Sequence, residues 1–150
     1  MSNIDMSKVI TAKARKDAAL AGGRVAAKAM MVAWIDDLTG ATQNQYPEVV
    51  QKGWDEEEAM AVAFMTATET PTQLATLTAD GAARGRTAEE HAIRILEKAS
   101  LFHGVVAQTR RLWLATDKAL EEVTDPRDFN AVLAGAIQQA APLAKAYGLA

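Results

Sequence analysis

Cysteine is absent from this chain. That excludes disulfides, thiolate metal sites and a cysteine nucleophile, and it leaves the redox compartment open. Aromatic residues are scarce, at 5%. Apolar residues reach 49%, but alanine supplies much of that share and each alanine buries little area, so a modest core is expected. The four prolines leave long stretches free of helix breakers. No run alternates apolar and polar residues with the β-branched or aromatic enrichment of a strand, and alanine is the best helix former. The fold class expected is all-α.

Other absences narrow the function. No membrane-spanning segment is expected: the nearest candidate, Val25 to Ile35, is short and contains Lys28. Basic residues recur where a secretory signal would be apolar, so no such signal is read. There is no Gly-x-Ser-x-Gly setting for a serine nucleophile. The stretch Gly81 to Arg86, GAARGR, lacks the ending of a phosphate loop and has no strand before it, so a helix stop is expected there. A net charge of −3 gives no general push toward nucleic acid or anionic lipid. The charge is uneven, since residues 1–28 carry Lys8, Lys13, Arg15, Lys16, Arg24 and Lys28 against Asp5 and Asp17. A solvated helix face is favoured over a phosphate or membrane contact there.

What the chain does contain is one long proline-free run, Thr87 to Val123, with a seven-residue apolar repeat. One column reads Ala99, Val106, Trp113 and Leu120. Its partner reads Ile95, Phe102, Thr109, Thr116 and Val123. Such spacing puts both columns on one face of a helix of about ten turns. Thr87 and Glu90 form a capping box at its start, and Gly104 suggests close approach by a neighbouring helix.

The remaining elements follow from local signals. A first helix is expected from Ser7 or Thr11 to Leu38, ended by Thr39-Gly40, with Gly22-Gly23 marking either a bend or a close approach. A linker over 41–53 follows. A second helix runs from Trp54 to Ala67, with Asp55, Glu56, Glu57 and Glu58 at the positive end of its dipole. A third opens at Thr70-Pro71 and ends near Gly81 to Gly85. After the long helix, Asp125-Pro126 caps a last helix that Pro142 kinks or ends, and Ala144 to Ala150 reads as a frayed tail. The expected architecture is an antiparallel helical bundle built around the helix at 87–123. The expected domains are an N-terminal helical arm at 1–40, the linker, and a bundle domain over 54–150.

Candidate chemistry is thin. His91 and His103 stand twelve residues apart, about 18 Å along a helix, and share no metal within one chain. His91 is expected to be exposed and His103 to lie on a helix flank. The acids at 55–58 lack a histidine or further acid at ligand spacing. No catalytic residue, metal site or cofactor is assigned, and no enzyme activity is expected. Arg110-Arg111 beside Trp113 could grip a nucleic acid, but only two basic residues contribute and Glu97, Asp117, Glu121 and Glu122 lie on the same helix, so an exposed Arg pair bonded to acids of a neighbouring helix is favoured. Met30, Met31, Trp34 and Leu38 form an apolar half of the first helix. They either bind a partner or cover helices of the same chain, and the sequence alone leaves both open.

From Gly53 onward the order of features resembles a known domain. Gly53-Trp54-Asp55 leads into Glu57-Glu58-Ala59-Met60-Ala61, and Thr70-Pro71-Thr72-Gln73-Leu74 follows. Gly85 and Thr87 then open a helix carrying Ile93, Ile95-Leu96-Glu97-Lys98-Ala99 and Phe102, with Arg110-Arg111 late in it and Asp125-Pro126 after it. Over residues 53–140 this resembles a helical domain of unknown function from the C-terminal region of phage and prophage tail fibre proteins. The opening Asp5 to Ala12 is similar to small tail-fibre-associated phage proteins. The resemblance implies a virion structural protein, made in the bacterial host cytoplasm, that contacts other tail or fibre proteins and neither nucleic acid nor membrane. The chain departs from a typical fibre in lacking a long shaft and a β-rich tip. Rotational symmetry of tails makes a homotrimer fit, with Met30, Met31, Trp34, Leu38, Arg110 and Arg111 as contact residues. The alternative is a cytosolic helical adaptor or tail-fibre assembly chaperone absent from the finished particle.

Overall fold

A computed structural model describes residues 5–146. Those residues form an all-α helical bundle protein, with no strand among them. The helices are α1 (Met6–Gln43), α2 (Glu48–Lys52), α3 (Trp54–Met65), α4 (Pro71–Ala83), α5 (Ala88–Glu122), α6 (Phe129–Gln139) and α7 (Ala141–Ala146), with a 3₁₀ turn at Pro126–Asp128. The long helix expected over 87–123 is therefore present and unbroken. The chain groups into two compact units. One joins residues up to 41 with those from 108 onward, and the other holds residues 42–107. This grouping differs from an arm, a linker and a bundle in series, because α1 shares its contacts with the C-terminal helices.

In the first unit α1 runs antiparallel to the C-terminal half of α5. Residue numbers rise along one helix as they fall along the other: Arg24 meets Leu120 and Val123, and Lys28 meets Asp117. Ala27, Met31 and Leu38 of α1 are buried, as are Leu112, Thr116, Leu120 and Val123, and Phe129, Leu133, Ala136, Ala140 and Leu143 complete the core. The second heptad column is buried from Thr109 through Thr116 to Val123, threonines included, while Phe102 earlier in the column is exposed. Thr116 is satisfied there by donating to the Leu112 carbonyl at 2.8 Å.

Of the two central glycines only Gly23 marks a close approach: a Cβ there would sit 2.6 Å from Phe129 Cε2. Gly22 has open space around it, and α1 passes both without a break. The 3₁₀ turn opens on Asp125, which accepts from the Arg127 N–H at 3.0 Å. Between α6 and α7 the chain breaks at Ala140. Pro142 has no N–H to offer the helix, so the ladder stops just before it. The expected frayed tail is helical through Ala146, and residues 147–150 lie outside the described residues.

The second unit corrects the linker. Gly40 does not stop α1, which continues to Gln43. Pro47 then starts the short helix α2, and Gln51 donates through its side-chain amide to the carbonyls of Gln43 at 2.7 Å and Tyr46 at 2.8 Å. Capping boxes open α4, between Thr70 and Gln73, and α5, between Thr87 and Glu90. The helix stop expected at GAARGR is realised by Gly85, whose φ of +68° suits glycine. The α3 terminus uses Ala67 in the same left-handed region, at φ 54°. Gly104 corrects another expectation: nothing approaches it. The buried core of this unit is small, comprising Ala61, Leu77, Gly81 and Ala92.

Two substitutions test these packing statements by urea unfolding. Gly23→Val drives a branched side chain into the buried Phe129 ring and is expected to cost about 1–3 kcal/mol. Ala67→Gly removes a left-handed Cβ and is expected to stabilise by about 1 kcal/mol.

Candidate interaction surfaces

The two faces of α1 differ sharply. Steps of three and four residues place Ala27, Met31, Trp34 and Leu38 on one side, and that side faces the core of the first unit. Met31 is 1% exposed and Leu38 7%, while Trp34 is half-buried. These residues cover their own chain, so of the expected contact set on α1 only Met30 points outward, at 59% exposure. The helical period separates the apolar run into two columns, and the outward one is led by Val25, at 71% exposure, and Val32.

The outward column is free of charge over a long distance. Between Asp17 and Asp36 the charged residues are Arg24 and Lys28, and both turn toward α5. Arg24 donates to three main-chain carbonyls at the end of α5: Leu120 at 3.1 Å, Glu121 at 3.3 Å and Val123 at 3.2 Å. Lys28 pairs with Asp117 at 2.9 Å and with Glu121, and these carboxylates raise its pKa above the ordinary lysine value. With its cations engaged on one side, α1 presents alanines, Gly22, Val25, Met30 and Val32 on the other.

Because α1 runs unbroken through Gly22-Gly23, it is long and apolar enough to cross a membrane by length and composition, with a mean hydropathy of 1.3 over one 18-residue window.

Arg110 and Arg111 are exposed and make no ion pair among the described residues, which overturns the expected pairing with acids of a neighbouring helix. Trp113, in the first heptad column of α5, is half-buried.

In the second unit the polar groups form two small clusters. His103 is exposed and its Nε2 lies 2.9 and 3.0 Å from the two carboxylate oxygens of Glu58. Beside it Tyr46, Trp54 and Phe102 form a chain of aromatic contacts, Tyr46 meeting Trp54 edge-on at 5.4 Å between centroids and Trp54 meeting Phe102 at 6.1 Å. An open depression of about 450 Å³ is lined by Asp55, Glu58, Ala59, Val62, Ala63 and Thr68. The second cluster holds Glu57 and His91. His91 is half-buried rather than exposed, and its Nδ1 is buried without a hydrogen-bond partner among the described residues. Among the described residues no three histidines or acids come together to hold a metal.

No family model, curated protein or solved structure matches this chain.

Burial raises the Glu57 pKa, and the Asp80 charge adds to the shift while His91, Lys98 and Arg84 oppose it. The folded carboxyl therefore holds its proton to a higher pH than the unfolded one. The folded state carries a penalty above the folded pKa, and that penalty fades as pH falls toward the ordinary glutamate range. Glu57→Gln is expected to raise Tm at pH 7 and to give no gain near about pH 4. Thermal melts across that range check the sign.

Proposed function

We propose that this chain is a structural protein of a phage or prophage virion, associated with the tail or tail fibre. It works by protein–protein contact and carries no reaction chemistry or cofactor. The order of motifs over residues 53–140, which resembles the tail-fibre domain, supports the setting. The observation that carries the contact role is the uncharged outward face of α1, where Val25, Met30 and Val32 stand in solvent. Apolar side chains held in solvent on a helix face without charge fit an interaction site. Arg110 and Arg111 offer donors to an acidic surface on a neighbouring tail or fibre protein.

A second reading uses the same exposed face. A cytosolic adaptor or tail-fibre assembly chaperone also needs apolar surface, and would leave before the particle is complete. Mass spectrometry of purified particles separates the two. The virion reading expects the chain at a fixed ratio to the tail proteins. Its presence in the infected or induced lysate together with absence from the particles would transfer the assignment to the assembly factor.

A further inference from the structure

The outward face of α1 carries a pattern that specifies its own partner. Starting at Arg15, alternate steps of three and four residues pass through Ala18, Gly22, Val25, Ala29 and Val32 and end at Asp36. That is a heptad stripe. All seven of these residues are exposed, and the stripe lies opposite the column formed by Ala27, Met31 and Leu38. Its apolar part is bounded by one cation and one anion. Among the described residues neither Arg15 nor Asp36 makes an ion pair.

We propose that α1 pairs with α1 of a second copy of this chain, antiparallel, around a two-fold axis that passes near Val25. The charges choose this arrangement. Antiparallel pairing brings Arg15 of one copy level with Asp36 of the other, twice. Parallel pairing would set Arg15 against Arg15 and Asp36 against Asp36, which repel. The same repulsion disfavours a parallel trimer on this face. The small residues Ala18, Gly22 and Ala29 allow the two helices to approach to about 8 Å, and Val25 and Val32 supply most of the apolar area. An isologous contact of this kind closes on itself and stops at two copies.

Spanning a bilayer would draw Arg24 and Lys28 out of their contacts with α5 and into hydrocarbon, which decides against lipid as the occupant. The apolar part of the stripe, from Ala18 to Val32, is about 21 Å long. A contact of this length is also smaller than a standard protein interface, so the dimer dissociates on dilution in the micromolar range. The inference rests on the contact role given to α1 above and not on the tail setting.

Sedimentation equilibrium of the full-length protein over micromolar to near-millimolar concentrations tests it. The wild type is expected to pass from monomer to dimer. Val25→Lys faces solvent in the monomer, so helicity and Tm should hold while dimerisation weakens by more than about tenfold. Arg15→Asp and Asp36→Arg should each weaken the dimer, and the double swap should restore it. A monomer at every concentration, a trimer, or a dimer indifferent to Val25→Lys would overturn the proposal. So would a double swap that fails to rescue, or monomers that bind phosphatidylcholine vesicles through α1. Absence from virions with an intact dimer would instead remove only the tail assignment.

Discussion

The closing of the α5 terminus by Arg24 is the interaction on which the first unit depends. A helix end leaves its last carbonyls without partners, and they must be satisfied by caps, water or side chains. Here one guanidinium from α1 serves three of them, at Leu120, Glu121 and Val123. A planar fork with several donors suits that task better than an ammonium group would. Positive charge at a helix C-terminus is also favoured by the helix dipole. Lys28, one turn further along α1, engages the acids of the preceding turn of α5, Asp117 and Glu121.

That clamp fixes the rotation of α1 about its own axis. Once Arg24 and Lys28 point toward α5, Ala27 and Met31 must follow them inward, and Val25, Ala29 and Val32 must point away. The buried column then meets Leu120, Thr116 and the C-terminal helices, with Phe129 seated over Gly23. An apolar outer face is left behind as a geometric consequence. Its lack of charge follows from the fact that the two cations in the middle of α1 are committed elsewhere.

The second unit is held by different means. Its buried core is small, and local hydrogen bonds define its elements: two capping boxes, a glycine stop at Gly85, a left-handed Ala67 and the Gln51 amide over the end of α1. Such signals are short-range and were legible in the sequence at Thr70-Pro71, Thr87-Glu90 and GAARGR. Less legible were α2 inside the expected linker and the continuation of α1 past Gly40. Glycine weakens a helix without forbidding it, so neighbouring residues decided its fate there. The half-burial of His91 was not legible either, because Gly81 of α4 lies against it and nothing next to it in the chain announces that contact.

The amino-acid sequence by itself determined the all-α class, the unbroken helix from 88 to 122 and most helix starts. Those properties depend on propensity, period and capping, which act over a few residues. Only the tertiary structure decided which side of α1 is covered, which cations are engaged, and that α1 groups with the last helices instead of standing as an arm. Those outcomes depend on partners about a hundred residues away, such as Arg24 with Val123, and no local pattern encodes a contact at that separation.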